Sequence, residues 1–195
     1  IGRQVARRAA AFDLELQYYD KYHPLTPVEE ETMGIKAVPM GTLLETSDIV
    51  STHVPLTRET YGMIGKRELE LMKPTGVVIN TSRGALIDAS AAIDALKSGQ
   101  LGFLGLDVYE EEADLFYRDL SSQVIQDDVF SRLLTFPNVL ITWHQAFFTD
   151  EAMTAIAETT LANVTAFARG EALGANDLFT VHTYTDADHA FARIG

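Results

Sequence analysis

Residues 77–88 read VVINTSRGALID. Val77, Val78 and Ile79 form a β-branched run, the composition of a strand covered on both faces. The run ends on Asn80, Thr81 and Ser82, then on Arg83 and Gly84, and a helical pattern begins at Asp88. A guanidinium is among the groups least often buried. The tip of this strand must therefore rise out of the sheet toward water or a ligand. An apolar strand, a polar tip and a helix in succession are the repeating unit of a parallel α/β sheet.

The same unit recurs on both sides. Strands are expected at 14–19 (LELQYY, running into Asp20), 35–38, 48–54 (stopped by Pro55), 76–81, 102–108 and 138–142. Helices are expected at 2–11, around 41–47, at 66–73 before Pro74, at 88–99 and at 150–169. Asp88 and Gly99 supply the caps of the 88–99 helix. The expected fold is an α/β, doubly wound parallel sheet, whose ligands sit beyond the carboxyl ends of the strands. Pro24 and Pro27 mark a loop, and 109–137 reads as a long acidic loop. The expected organisation is a core over 1–145, a helix within 146–172 and an irregular tail over 173–195.

Composition narrows the partners. Asp and Glu outnumber Lys and Arg 28 to 15, for a net charge of −13. Such a chain is repelled by phosphate backbones, so nucleic acid is not an expected partner, and an anionic ligand needs a locally placed cation. The absence of cysteine excludes disulfides and cysteine-bound metals and favours a cytoplasmic setting. No apolar run approaches the roughly 20 residues of a membrane span, so no membrane partner is expected. The stretch HTYTDADH lacks coherent ligand spacing, and no metal is expected. No G-x-S-x-G elbow appears.

The strand ends hold the candidate chemistry, and each has a plain structural alternative. Asp20 is either a turn residue or the acid that binds ribose hydroxyls in dinucleotide folds. Pro55 turns the chain with the Val54 carbonyl facing the crevice and Thr60 in reach from the loop; a structural proline reads equally well. Arg83 offers a planar fork for a carboxylate or a surface ion pair. Asp107 ends a strand, and Glu110, Glu111 and Glu112 after it read as a solvated face or a source of one functional acid. His144, two residues past the last strand, is a proton carrier or a structural histidine. Trp143, Phe147 and Phe148 either wall a pocket or fill a core.

Taken together, THVPLTRETYGMI, NTSRGALID, GLDVYEEE and NVLITWHQAFFTDEA resemble the NAD-dependent D-2-hydroxyacid dehydrogenases, over about residues 1–175. The segment from Leu115 to Ala152 is similar in particular to the fermentative branch that interconverts pyruvate and D-lactate. The resemblance implies NAD as cofactor and hydride transfer to a small 2-keto acid. It assigns substrate binding to Arg83 and the acid/base pair to His144 and Glu112. Cofactor contacts fall on Ile1, Gly2, Asp20, Val54, Pro55, Thr60, Thr81, Ser82 and Asp107. Trp143 stands where the family often has proline. Another 2-keto-acid reductase, of glyoxylate or hydroxypyruvate type, is the alternative, as is a non-catalytic NAD-binding scaffold; Arg83, Glu112 and His144 together argue against the scaffold.

Of the family's G-x-G-x-x-G fingerprint only Ile1-Gly2 is present. A Rossmann-type sheet lacking its first strand is therefore expected, split where that strand would lie. The resemblance further implies an N-terminally truncated dehydrogenase, homodimeric at full length, whose 150–169 helix returns to a substrate domain. The 195-residue chain alone is expected to be a poor catalyst.

Overall fold

In the computed structural model, which describes residues 1–111, 115 and 124–171, every named strand has three or four residues and every pairing is parallel. The strands are β1 (Leu16–Tyr18), β2 (Ile35–Ala37), β3 (Ile49–Thr52), β4 (Val77–Asn80), β5 (Phe103–Leu106) and β6 (Val139–Ile141). The helices are α1 (Gly2–Ala10), α2 (Pro27–Met33), α3 (Met40–Thr46), α4 (Lys66–Leu71), α5 (Ala89–Ser98), α6 (Asp128–Leu133) and α7 (Asp150–Ala168). The described residues divide after His144 into two units, and all six strands lie in the first.

The strands form two sheets, β1-β2 and β3-β4-β5-β6. β1 and β3 share no neighbour, as expected of a doubly wound sheet without its first strand. In the larger sheet, register aligns Val50 with Val78 and Val78 with Leu104. All three are buried, a continuous apolar row that a one-residue slip would turn to the other face. Leu44 of α3, Leu69 of α4 and Ala92, Ile93 and Leu96 of α5 belong to the same core. The α5 positions recur at helical spacing, which keeps one stripe of the helix on the sheet. Asp88 accepts from the Ala91 N–H and Gly99 closes the helix in the left-handed region, φ 76°, the caps the sequence indicates.

Two helices depart from the sequence reading, each for a local reason. Pro27 opens α2 instead of marking a loop: Thr26 accepts from the Glu29 N–H while the Glu29 carboxylate accepts from the Thr26 N–H. Proline at the first helical position has no needed donor to lose, so Thr-Pro-x-Glu is a start signal. Within the acidic 109–137 stretch, Asp127 accepts from the Phe130 N–H and starts α6. Phe130 and Leu133, three residues apart, are both 0% exposed. The Phe130 ring lies 5.0 Å from that of Tyr109 and 5.6 Å from that of Trp143.

The second unit holds α7. Thr149 caps it by accepting from Ala152, and Asp150 and Glu151 stand in its first turn, where negative charge complements the helix dipole. Met153, Ile156, Leu161, Val164 and Phe167 along it are exposed. Among the described residues no helix is long and apolar enough to cross a membrane.

Phe130 is the residue on which α6 hangs. Phe130→Ala is expected to lower folding stability by about 3–5 kcal/mol, the usual cost of emptying a buried aromatic site. Urea unfolding followed by circular dichroism measures it; a loss below about 1 kcal/mol would mean α6 is not anchored through this ring.

Candidate active site

The site is built at the carboxyl ends of β3, β4 and β5 by one buried amide. Asn80, the last residue of β4, is 0% exposed. Its Oδ1 accepts from the Thr52 hydroxyl at 2.9 Å and from the Ser82 N–H at 3.0 Å. Its Nδ2 donates to the Arg83 carbonyl at 2.8 Å, and its own carbonyl accepts from the Asp107 N–H at 2.9 Å. The Ser82 hydroxyl donates to the Thr52 carbonyl at 2.8 Å. A buried polar side chain left without such partners costs 1–3 kcal/mol or so, so these bonds dictate the path of the chain as it leaves the sheet. Thr81 and Arg83 come out exposed, and Ser82 half-buried.

Gly84 makes that turn possible. A Cβ there would lie 2.1 Å from the Tyr109 carbonyl carbon and 2.2 Å from the Glu110 nitrogen, so only glycine allows the approach. The contact joins the Arg83 turn to the start of the acidic segment after β5. Tyr61 reinforces it by donating to Glu110 at 2.9 Å. Gly62 and Ile64 donate to the carbonyls of Ala85 and Leu86, and Ile64 accepts from Asp88. The Tyr109 hydroxyl donates to Asp127 at 2.8 Å, the residue that starts α6. Burial, reinforced by the Asp127 carboxylate, pushes the Tyr109 hydroxyl well above the usual tyrosine range, which keeps it a donor.

Asp107 follows β5 and is buried, its Oδ1 accepting from the Thr142 hydroxyl. Trp143 and His144 then take positive φ values of 62° and 50°. Two consecutive non-glycine residues in the left-handed region each cost about 1–3 kcal/mol, and such strain gathers at functional sites. Trp143 meets Phe130 edge-on, a packing contact that holds the strained turn. Since β4 and β6 flank β5, their carboxyl ends stand about 10 Å apart, two strand spacings. Arg83, Asp107 and His144 thus leave three neighbouring strands at the same edge.

The other candidates lie toward β1 and β3. Ile1 is the exposed N-cap of α1, its carbonyl accepting from Gln4 and Val5. A Cβ on Gly2 would lie 3.2 Å from the Cβ of His53, so the start of α1 abuts the end of β3. Asp20 follows β1, and its Oδ1 accepts from the N–H groups of Tyr22 at 3.0 Å and His23 at 2.8 Å. That is the turn role, with Oδ2 outside those bonds. Val54 and Pro55 follow β3; the Thr60 hydroxyl donates to the Pro55 carbonyl at 2.6 Å and accepts from the Thr57 N–H at 2.8 Å, which ties the loop to itself. Glu112 lies outside the described residues. Among the described residues, no group of acids and histidines is arranged to hold a metal ion.

Sequence reasoning singled out Arg83 but missed Asn80, Thr52, Thr142 and Tyr109, which set its surroundings. The signal for Asn80 was present: an amide closing an apolar β-branched run, where asparagine is disfavoured. For the others, partners 18 to 35 residues away leave no local trace.

The profile of one family, described as "D-isomer specific 2-hydroxyacid dehydrogenase, NAD binding domain", matches residues 1–146. D-lactate dehydrogenase of Escherichia coli (strain K12) is 47% identical over 171 residues, 88% of this chain and 51% of that relative. Among solved structures, pyruvate reductase of Chlamydomonas reinhardtii superposes with a TM-score of 0.81 at 41% identity, covering 89% of this chain and 52% of the other. D-lactate dehydrogenase of Aquifex aeolicus, complexed with NAD and lactic acid, superposes with a TM-score of 0.77 at 34% identity, covering 88% and 51%. The chain spans about half the length of the curated relatives it matches.

One group at this edge carries a pH signature. The His53 Nδ1 is buried without a hydrogen-bond partner among the described residues, while Nε2 lies 3.0 Å from the Ser51 hydroxyl. Burial holds the imidazole below its ordinary value. The unfolded chain therefore takes up this proton at a higher pH than the folded one. Stability from neutral His53 is complete above about pH 6.5 and is lost as pH falls through the folded pKa. His53→Gln is expected to flatten the fall of the urea midpoint as pH drops below about 6.5; an unchanged slope would exclude His53 as its source.

Proposed function

The chain belongs to the D-isomer specific 2-hydroxyacid dehydrogenases, whose NAD-binding domain it carries, and on that footing we propose that it serves the NAD-dependent interconversion of a small 2-keto acid and its D-2-hydroxy acid, pyruvate and D-lactate above all. The observation that carries this reading is the convergence of Arg83, Asp107 and His144 on one edge of the sheet, at the ends of neighbouring strands. The similarity to enzymes named for D-lactate and pyruvate supports the choice of substrate.

The residues present suit a dinucleotide. Asp20 keeps one carboxylate oxygen beyond its turn bonds, as recognition of a ribose diol needs. The start of α1 packs at Gly2 against His53, just past β3, and its first N–H groups suit a pyrophosphate. Val54, Pro55, Thr60, Thr81, Ser82 and Asp107 would line the remainder. When bound, NADH supplies the hydride that reduces the keto carbon.

The protein groups then have separable tasks. Arg83 pairs its planar fork with the substrate carboxylate, a geometry lysine cannot reproduce. It is exposed on a turn fixed by Asn80, and a ligand carboxylate would take the place of the Ser82 carbonyl, to which Nη1 donates at 2.7 Å. In a chain of net charge −13, this local cation is what makes an anionic substrate welcome. His144 donates a proton to the oxygen of the reduced carbonyl, with Glu112 as its orienting acid. In the reverse direction the same imidazole accepts that proton.

Steady-state assay of the complete gene product with NADH and a panel of 2-keto acids tests the reading. Pyruvate is expected to be reduced with the highest kcat/KM. His144→Gln is expected to lower kcat by about 10²–10⁴, and Arg83→Lys to raise the KM for pyruvate while NADH binding persists. Full activity in His144→Gln would refute the assigned proton donor, and failure to bind NADH would refute the reading as a whole.

A further inference from the structure

A cluster beside Asp20 takes no part in the mechanism above. Lys21 follows Asp20 directly, and its Nζ donates to Glu59 Oε2 at 2.9 Å. Tyr22 donates its hydroxyl to the same oxygen. The Lys21 ammonium also lies 5.0 Å from the centre of the Tyr22 ring. Glu59 belongs to the loop after β3, 38 residues away from Lys21, so the cluster joins the loops that follow β1 and β3.

The turn at Asp20 prepares this arrangement. By accepting from the N–H groups of Tyr22 and His23, Asp20 folds the chain back and fixes the stem from which Lys21 and Tyr22 reach across. Hydrogen bonds from Tyr22 and then Lys21 hold the Glu59 carboxyl below its usual range. Lys21 is held above its own, chiefly by Glu59. Both side chains are about half-exposed, at 57% each. An exposed ion pair of this kind adds little to stability, so its consequence is local: it determines what the ammonium is free to bind.

We propose that Glu59 is a specificity-determining residue for the cofactor: by engaging Lys21, it withholds from the 2′-phosphate of NADP the cation adjacent to Asp20. The inference rests on the reading that Asp20 receives the cofactor's ribose. An added 2′-phosphate brings a charge of about −1.5 to −2 to a place where Asp20 already repels it. It also meets the second carboxylate, Glu59, and an ammonium already paired. Replacing Asp20 alone removes one repulsion but leaves Lys21 occupied. Replacing Glu59 removes a second negative charge and frees the cation together.

The test is equilibrium titration of the complete gene product with NADH and NADPH. In Glu59→Gln, NADPH is expected to bind about fivefold tighter, the upper range for one exposed charge contact, with NADH affinity unchanged. Asp20→Asn, which keeps the acceptor of the turn, combined with Glu59→Gln should give a larger gain than either change alone. Adding Lys21→Met to Glu59→Gln should take back the larger part of the gain, and about 0.5 M KCl should reduce it. Unchanged NADPH affinity in Glu59→Gln with intact NADH binding overturns the proposal and leaves the dehydrogenase reading standing. A gain that survives Lys21→Met undiminished also overturns it, since the phosphate would then owe nothing to the freed ammonium. Loss of binding to both nucleotides in the unaltered protein overturns the dehydrogenase reading and this proposal with it.

Discussion

The carboxamide of Asn80 is the constraint from which the rest of this edge follows. It is a polar group with no exposed surface at the end of an otherwise apolar strand, so its hydrogen bonds must be met within the protein. It meets them with Thr52 on one side, Ser82 and Arg83 ahead, and, through its backbone, Asp107 on the other side. Three parallel strands are thereby locked to one another where they stop. The network leaves the backbone of Arg83 no freedom, while its exposed guanidinium donates one Nη1 bond to the Ser82 carbonyl at 2.7 Å. A positioned charge on a rigid stem needs little reordering when a ligand arrives.

The neighbouring turns extend this rigidity. Gly84 lets the Arg83 turn press on Tyr109 and Glu110, and Tyr109 reaches Asp127 at the start of α6. Phe130 of α6 then carries Trp143, next to His144. A path of contacts therefore leads from the arginine turn to the histidine turn through an aromatic triplet. The positive φ angles of Trp143 and His144 are sustained by that packing. Glycine would relieve such a turn, but it would not supply the ring that meets Phe130.

Much of this was legible before any coordinates. Parallel strands buried on both faces are apolar runs, so five of the six strands stood out, and IKAV marked the sixth. The split between β1 and β3 was expected from the glycine fingerprint, of which Ile1-Gly2 alone is present. Arg83 was conspicuous because a guanidinium ending a buried strand calls for an explanation. What escaped were α2 and α6, whose caps at Thr26 and Asp127 were hidden among prolines and acids that also signal loops. The partners of Asn80, the Tyr109–Asp127 bond and the Lys21–Glu59 pair join residues distant in sequence, and no window of periodicity registers them. The left-handed pair at 143–144 was equally hidden, since tryptophan and histidine do not announce that conformation as glycine does.

Several groups with different chemistry therefore share one edge, and the proposed function depends on their meeting one molecule. The most direct measurement is a crystal structure of the complete gene product with NADH and oxamate, a pyruvate isostere that cannot be reduced. The account predicts the oxamate carboxylate paired with both guanidinium nitrogens of Arg83 and its amide-side carbonyl oxygen within hydrogen-bond reach of His144. Oxamate bound elsewhere, or seated with Arg83 and His144 on separate surfaces, would contradict it.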